Sequence, residues 1–162
     1  MSGLIYQLNV KPETPGQHGL PKQPVEEARV MVAGLQGDFN RYRTDKKGGS
    51  LDRAVLVLPW ETLQGLQQEG WPVQPGDIGE NITTNGVFYE ALQLGQRYRL
   101  GTSAVVQIAE ICNPCVNLAL LDYVGQDRVT EFMRTLKGRR GWYAQVLEEG
   151  TVRRGDSIEQ VL

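Results

Sequence analysis

Cysteine occurs only twice in this sequence and histidine only once. The two cysteines lie within four residues, whereas a secreted disulfide framework spreads a larger, even number along the chain. His18 stands in a proline-rich loop with no acidic or thiol neighbour, so it is given no catalytic role. No Ser–His–Asp set, H-E-x-x-H helix or catalytic carboxylate pair can be assembled around it. No apolar run approaches the ~20 residues of a membrane-spanning helix. The start, Met1-Ser2-Gly3-Leu4-Ile5-Tyr6-Gln7, lacks the basic and apolar regions of a signal peptide. Neither sign of charge dominates, with 17 Lys and Arg against 19 Asp and Glu. A general attraction to nucleic acid is therefore excluded. A cytoplasmic protein with no nucleic-acid or membrane partner is expected.

What is present suits a globular protein: 162 residues, 40% hydrophobic and 22% charged. A chain of this length buries roughly 70% of its unfolded surface without staples, and one domain over residues 1–162 is expected. Leu4 to Val10 reads as a first strand, followed by a Pro- and Gly-rich loop over 12–24. Further strands are expected at 28–34, 54–58, 97–100, 104–111 and 142–147. Leu63 and Leu66 give residues 61–69 a helical apolar face, stopped at Gly70. Residues 116–124 and 127–136 can both be helical, with Gly125 and Gly138 as stops, and Thr84-Asn85-Gly86 reads as a hairpin turn. Glu149-Gly150 reads as a turn. Many short strands and few helices predict a mainly β, closed or partly closed barrel with short helical insertions.

The segment most suited to chemistry is Cys112-Asn113-Pro114-Cys115, directly after the strand at 104–111. C-x-x-C spacing lets one thiolate attack and the other resolve. A helix starting near Cys115 would add N-terminal amides, and Pro114 fits such a start. The bland alternative is a pair of small hydrophobes packed at a strand end. Structural zinc needs four ligands, which two cysteines and one distant histidine do not supply without a symmetric partner. A thioredoxin-like centre would put the motif early in a βαβ unit. What remains is a single thiolate that binds a soft metal or carries sulfur, or a dithiol oxidoreductase.

Three polar, glycine-punctuated segments accompany the cysteines. Gly37 to Arg43 and Lys46 to Arg53 combine cations with Gly48-Gly49, a plausible anion cradle or a solvated loop. In Gly76-Asp77-Ile78-Gly79-Glu80-Asn81-Ile82-Thr83, Glu80 and Asn81 can bond a heterocycle or hold a neighbouring loop. Lys137-Gly138-Arg139-Arg140-Gly141-Trp142-Tyr143 sets two arginines ahead of two aromatics, as an anion contact or an exposed turn.

In order, these segments resemble the MOSC domain, the module named after the C-terminal part of molybdenum cofactor sulfurases. The likeness rests on Gly37-Asp38 with Asn40, on Gly48-Gly49 followed by Asp52-Arg53-Ala54-Val55, on Gly76 to Thr83, and on Pro114-Cys115. It continues through Arg140-Gly141-Trp142-Tyr143-Ala144, Gly150-Thr151-Val152 and Gly155-Asp156, and so spans nearly the whole chain, as in a stand-alone member. The resemblance implies a barrel-like β domain that binds the molybdenum cofactor, molybdopterin, or moves sulfur to a metal centre. Cys115, which follows Pro114, would be the reactive thiolate and metal ligand. Lys47, Gly48, Gly49, Asp52, Glu80 and Asn81 would shape the pocket, with Arg41, Arg53 and Arg140 as anion contacts.

It also implies a molybdenum-dependent oxidoreductase, such as a reductase of N-hydroxylated compounds, or a sulfur transferase. The partner would be an electron-transfer protein or a cysteine desulfurase. Two departures matter. Many members have histidine where this chain has Lys47, and many carry arginine where it has Cys112. The second exchanges a cation for a possible resolving thiol, so Cys112 joins Cys115 as a candidate catalytic residue. Besides the cofactor-binding reading, a thiol–disulfide oxidoreductase using Cys112 and Cys115 and a non-catalytic interaction module stand as alternatives.

Overall fold

The structure is a computed structural model that describes residues 2–39 and 50–162. In chain order the strands are β1 (Ser2–Val10), β2 (Gln23–Val25), β3 (Glu27–Met31), β4 (Gly34–Leu35) and β5 (Val55–Pro59). Helix α1 (Trp60–Gln68) precedes β6 (Ile82–Asn85), β7 (Arg97–Leu100) and β8 (Ala104–Ile111). Helix α2 (Gly125–Leu136) is followed by β9 (Trp142–Glu148), β10 (Gly150–Arg153) and β11 (Ser157–Val161).

Among the described residues seven strands close into a barrel, in the order β11-β7-β8-β9-β5-β6-β1, as β1 returns to pair with β11. Closure removes the free edges on which β-rich proteins aggregate. β2 extends the sheet from the far end of β1, and β10-β3-β4 forms a small separate sheet. The β5–β6 pair is parallel, so the chain must cross over, and α1 makes that connection. The mainly β barrel expected from the sequence is what the chain forms.

Alternation along each strand divides the side chains between two cores. Val55 and Val57 of β5 point into the barrel with Ile5, Ile82, Tyr98, Ile108 and Ala144. Leu58 points outward beneath the helices, where Leu63 and Leu66 of α1 meet Phe132 and Leu136 of α2, together with Trp71 and Ile78. Leu56, also outward, joins Tyr143 and Cys112 in a third, small cluster. A β-bulge in β8 sets this up, because the register slips between Ile108 and Glu110. Ile108 faces Ala144 inside the barrel, while Glu110 faces Tyr143 on the outside. One extra residue reverses the parity and turns Glu110 and Cys112 outward.

The helical expectation at 116–124 is replaced by a short 3-10 turn, Val116–Leu120, and Gly125 opens α2 instead of closing an earlier helix. Leu118 is drawn into the helical core, which favours the tighter turn. Thr84-Asn85-Gly86 is not a hairpin. β6 pairs with β1 and β5, and the Gly86 amide donates to Glu61 Oε1 at 2.6 Å. Gly150 is the first residue of β10, not a turn centre.

Candidate functional site

On the outer face of the β5–β9–β8 wall lies a cavity of about 480 Å³. Leu56, Tyr143 and Arg53 come from the barrel, Gly79 and Arg140 from flanking loops, and Cys115 from the segment after β8. The proline-rich loop closes the other side with His18, Leu20 and Lys22. Its size falls in the range of small-molecule sites.

Arg140 is the centre of the arrangement. Only 6% exposed, it donates from Nη1 to Cys115 Sγ at 3.3 Å and to the Asn113 carbonyl at 2.9 Å. Nη2 and Nε reach the Ile78 carbonyl at 3.3 and 3.4 Å. Among the described residues no carboxylate pairs with it. Burial works against its charge, yet Cys112, Cys115 and Tyr143 nearby favour the cation enough to push its pKa up. A guanidinium is a fixed, always-charged fork, so one side chain both joins the two loops and presents N–H to sulfur.

The backbone at Gly141 aims this arginine. Gly141 has φ of +120°, and a Cβ there would sit 2.7 Å from the Val57 carbonyl. The residue is locked by Tyr89, whose hydroxyl donates to its carbonyl at 3.2 Å and accepts from its amide at 3.1 Å. The Cys112 amide donates to the same carbonyl at 2.9 Å, so the two chemistry-bearing segments are tied at one residue. Arg139, next in sequence, turns outward to a two-pronged contact with Glu69 at 2.6 Å.

The two cysteines occupy unlike places. Cys115 is half-buried and lines the cavity, whereas Cys112 is 1% exposed beneath it, packed on Leu56 and Tyr143. Burial pushes the Cys112 thiol up, with Arg140 pulling the other way. Cys115 precedes a turn too short for its amides to form a helix-type anion site, and Leu118 N already donates to its carbonyl at 3.2 Å.

Arg53 also lines the cavity. It makes a bidentate pair with Glu110, at 2.9 Å from Nε and 2.5 Å from Nη2, and lies 4.9 Å over the Tyr143 ring. Asp52, its neighbour, is exposed and does not line the cavity. Arg41, Lys47, Gly48 and Gly49 lie outside the described residues.

Glu80 and Asn81 sit behind the cavity and tie loops together. Asn81 accepts from the Leu56 amide at 3.0 Å, donates to Asp38 Oδ2 at 2.9 Å and to the Asn9 carbonyl at 3.3 Å. Glu80 is fully buried and accepts from the Gly76 amide and from Thr83 Oγ1. Burial outweighs these bonds and pushes its carboxyl up to about 7. Gly76 is required there, since its φ is +92° and a Cβ would lie 2.5 Å from the Lys22 carbonyl.

Sequence reasoning passed over Lys22 and His18. Lys22 is buried, paired with Asp38 at 2.7 Å, and its amide donates to the Gly76 carbonyl at 2.8 Å. The only sequence sign was a lysine among prolines. Arg53, Arg140 and Cys115 are thus brought to one cavity, and among the described residues no Asp or Glu lines it. One sulfur facing cations, without acids, suits an anionic ligand that carries a soft metal with further donors of its own. Among the described residues no three His, Cys, Asp or Glu side chains come together to cage a bare ion. No helix among them is long and apolar enough to cross a membrane.

Comparisons with known proteins show the family and the fold. The MOSC domain description matches residues 44–159. The chain is 32% identical to YflK of Bacillus subtilis over 143 residues, 87% of this chain and 62% of YflK. It is 31% identical over 137 residues to a protein of Gibberella moniliformis named "Reductase", covering 78% of this chain and 22% of that protein. The chain thus spans about three fifths of one relative and about a fifth of the other. The crystal structure of YiiM from Geobacillus stearothermophilus superposes with a TM-score of 0.74 at 27% identity, over 99% of this chain and 75% of that one. The YUAD protein of Bacillus subtilis shares the fold at 18% identity, with a TM-score of 0.78 over 98% of this chain and 94% of that one. The chain belongs to the MOSC domain family.

Proposed function

We propose that this chain binds the molybdenum cofactor in the Cys115 cavity, with Cys115 as the protein's ligand to the metal, as part of a cytoplasmic reductase. The observation that carries the reading is the Cys115 sulfur, 3.3 Å from a buried guanidinium, in a cavity that described cations but no described carboxylates line. The reading draws support from family membership and from the reductase name of the Gibberella relative.

The residues divide the task by their chemistry. The Cys115 sulfur is a soft donor. Arg140 holds that sulfur and the Asn113 carbonyl in one orientation and adds positive charge beside it. Arg53, braced by Glu110, offers a second cation for a phosphate or other anionic group of the ligand. Leu56 and the Tyr143 ring supply an apolar floor against which a flat heterocycle can lie. When bound, the cofactor supplies a metal centre able to exchange two electrons and an oxygen or sulfur atom. An electron-transfer protein would supply the electrons.

A second reading keeps the same sulfur: Cys115 accepts sulfur as a persulfide from a cysteine desulfurase and passes it on. Its support is the half-exposed thiol at the cavity edge. Protein purified without oxygen should contain molybdenum and pterin in comparable amounts. If it contains neither, and Cys115 gains persulfide on treatment with a desulfurase and cysteine, the carrier reading replaces the cofactor-binding one. If it contains neither and gains no persulfide, both fall.

A further inference from the structure

The cavity and a smaller, shallower groove meet at the proline-rich loop. His18 and Leu20 line both. The groove lies between Lys11, Gly16, Gln17, Pro21 and Leu120. Only His18 of the two shared side chains can take up and release a proton. The loop that carries it is anchored on both sides. Gln17 is held by its amide to the Thr14 carbonyl at 3.0 Å and by Lys11 Nζ to its Oε1 at 2.9 Å. Leu20 is packed into the helical core, and Lys22 is fixed to Gly76 and Asp38. His18 is therefore delivered to the cavity by a braced segment.

The other titratable or charged groups facing this space are less suited to passing protons. Arg53 and Arg140 stay charged. Lys22 is committed to Asp38, and burial followed by the neighbouring Cys112 pushes the Tyr143 hydroxyl up. Lys11, on the groove side, is bonded to Gln17. Cys115 is the sulfur on which the chemistry turns. Histidine is the side chain suited to give and take protons near neutral pH.

We propose that His18 is the proton inlet of the cavity: it takes a proton from solvent in the outer groove and donates it to the basic atom of a ligand reacting at Cys115. The step is balanced as a proton transfer. Imidazolium loses H⁺ to a departing or newly formed anion, and the neutral imidazole regains H⁺ from water in the groove. The natural ligand this implies is one that releases or forms a basic oxygen, nitrogen or sulfur atom. The proposal rests on the reading of Cys115 as the reacting sulfur, but not on a bound cofactor.

The test uses the folded full-length protein and two reagents whose reactions with Cys115 differ in proton demand. With 2,2′-dithiodipyridine, the Cys115 thiolate attacks one sulfur, the S–S bond breaks, and the departing pyridinethiolate takes up H⁺. With iodoacetamide the thiolate displaces iodide, which takes none. Rates are followed across pH for the native protein and for His18→Gln, with the adduct located by mass spectrometry. The ratio of the two rates should be about tenfold higher in the native protein than in His18→Gln at the acid end of the profile, less than the ~10²-fold of a fully positioned general acid. At the alkaline end the difference should close. If both reagents label Cys115 but the ratio is the same in the two proteins at every pH, the inlet is overturned. If neither labels Cys115, the reading of that sulfur fails, and the inlet with it.

Discussion

Arg140 ties together two segments that the linear sequence keeps far apart: the loop at Ile78, and the stretch that carries the Asn113 carbonyl and the Cys115 sulfur. Replacing it with methionine keeps much of its bulk but strands the carbonyl of buried Ile78. An unsatisfied buried group costs ~1–3 kcal/mol, so Arg140→Met should lower stability by about 1–3 kcal/mol in urea unfolding. Arg140→Lys should recover only part of this, because an ammonium cannot span all the acceptors at once. Equal stability of Arg140→Met and the native protein would contradict the bracing role. Glu80 makes a separate, pH-dependent prediction. Its carboxyl sits at about 7 in the folded protein, against 4.5 for the free group. Between these values the folded chain keeps a proton that the unfolded chain has released. Stability should therefore fall as pH rises from about 4.5 to about 7, by as much as ~3 kcal/mol at ~1.4 kcal/mol per pKa unit. Glu80→Gln cannot ionise, so unfolding free energies measured across that window should show a flatter slope than in the native protein.

At the scale of elements, the site depends on one glycine and one bulge. Gly141→Ala places a methyl 2.7 Å from the Val57 carbonyl at a φ that L-residues avoid. The expected loss is about 1–3 kcal/mol or more. Because Arg140 is the preceding residue and the Cys112 amide bonds to Gly141, the same variant should lose bound molybdenum even at temperatures where it stays folded. Retention of a full complement would contradict that coupling. The helices matter less directly. Phe132 of α2 packs on Trp71 at 4.5 Å between ring centroids, within the core that also holds Leu118. Phe132→Ala should cost about 3–5 kcal/mol, read as a lower thermal midpoint. These elements explain how much of the fold was legible. Val55 to Leu58 is a short apolar run, Ala104 to Ile111 is rich in β-branched and aliphatic residues, and both form the strands expected of them. Val116 to Leu120 has enough apolar character for a helix but forms a 3-10 turn whose Leu118 is buried in the helical core, a tertiary contact that the local sequence does not announce. The β8 bulge leaves no mark in the sequence. Hence the outward placing of Glu110 and Cys112 could not be read from alternation alone.

For the whole molecule, the barrel closes only where the first strand meets the last. Gly3 pairs with Ile158, and the Ile5 amide donates to the Asp156 carbonyl at 2.8 Å. Ile158 is 1% exposed in the barrel core. Ile158→Ala should cost about 2–5 kcal/mol and speed hydrogen exchange along both seam strands, β1 and β11. The closed wall is what allows an outer-face cavity to be rigid, since Leu56, Tyr143 and Arg53 all stand on barrel strands or at their entry. From the sequence, Cys115, Arg53 and Arg140 were identified as site residues, and all three reach this cavity. Glu80 and Asn81 stand in the same glycine-rich segment as Gly79, yet their side chains turn away to hold loops. The sequence gives His18 no catalytic role because Cys115 and Arg140, which line the same cavity, lie more than ninety residues away. The account stands most directly on the proposed bond between Cys115 and the metal. Molybdenum K-edge absorption of anaerobically purified protein should report one fewer sulfur neighbour in Cys115→Ala than in the native chain. An identical sulfur shell in the two proteins would contradict it.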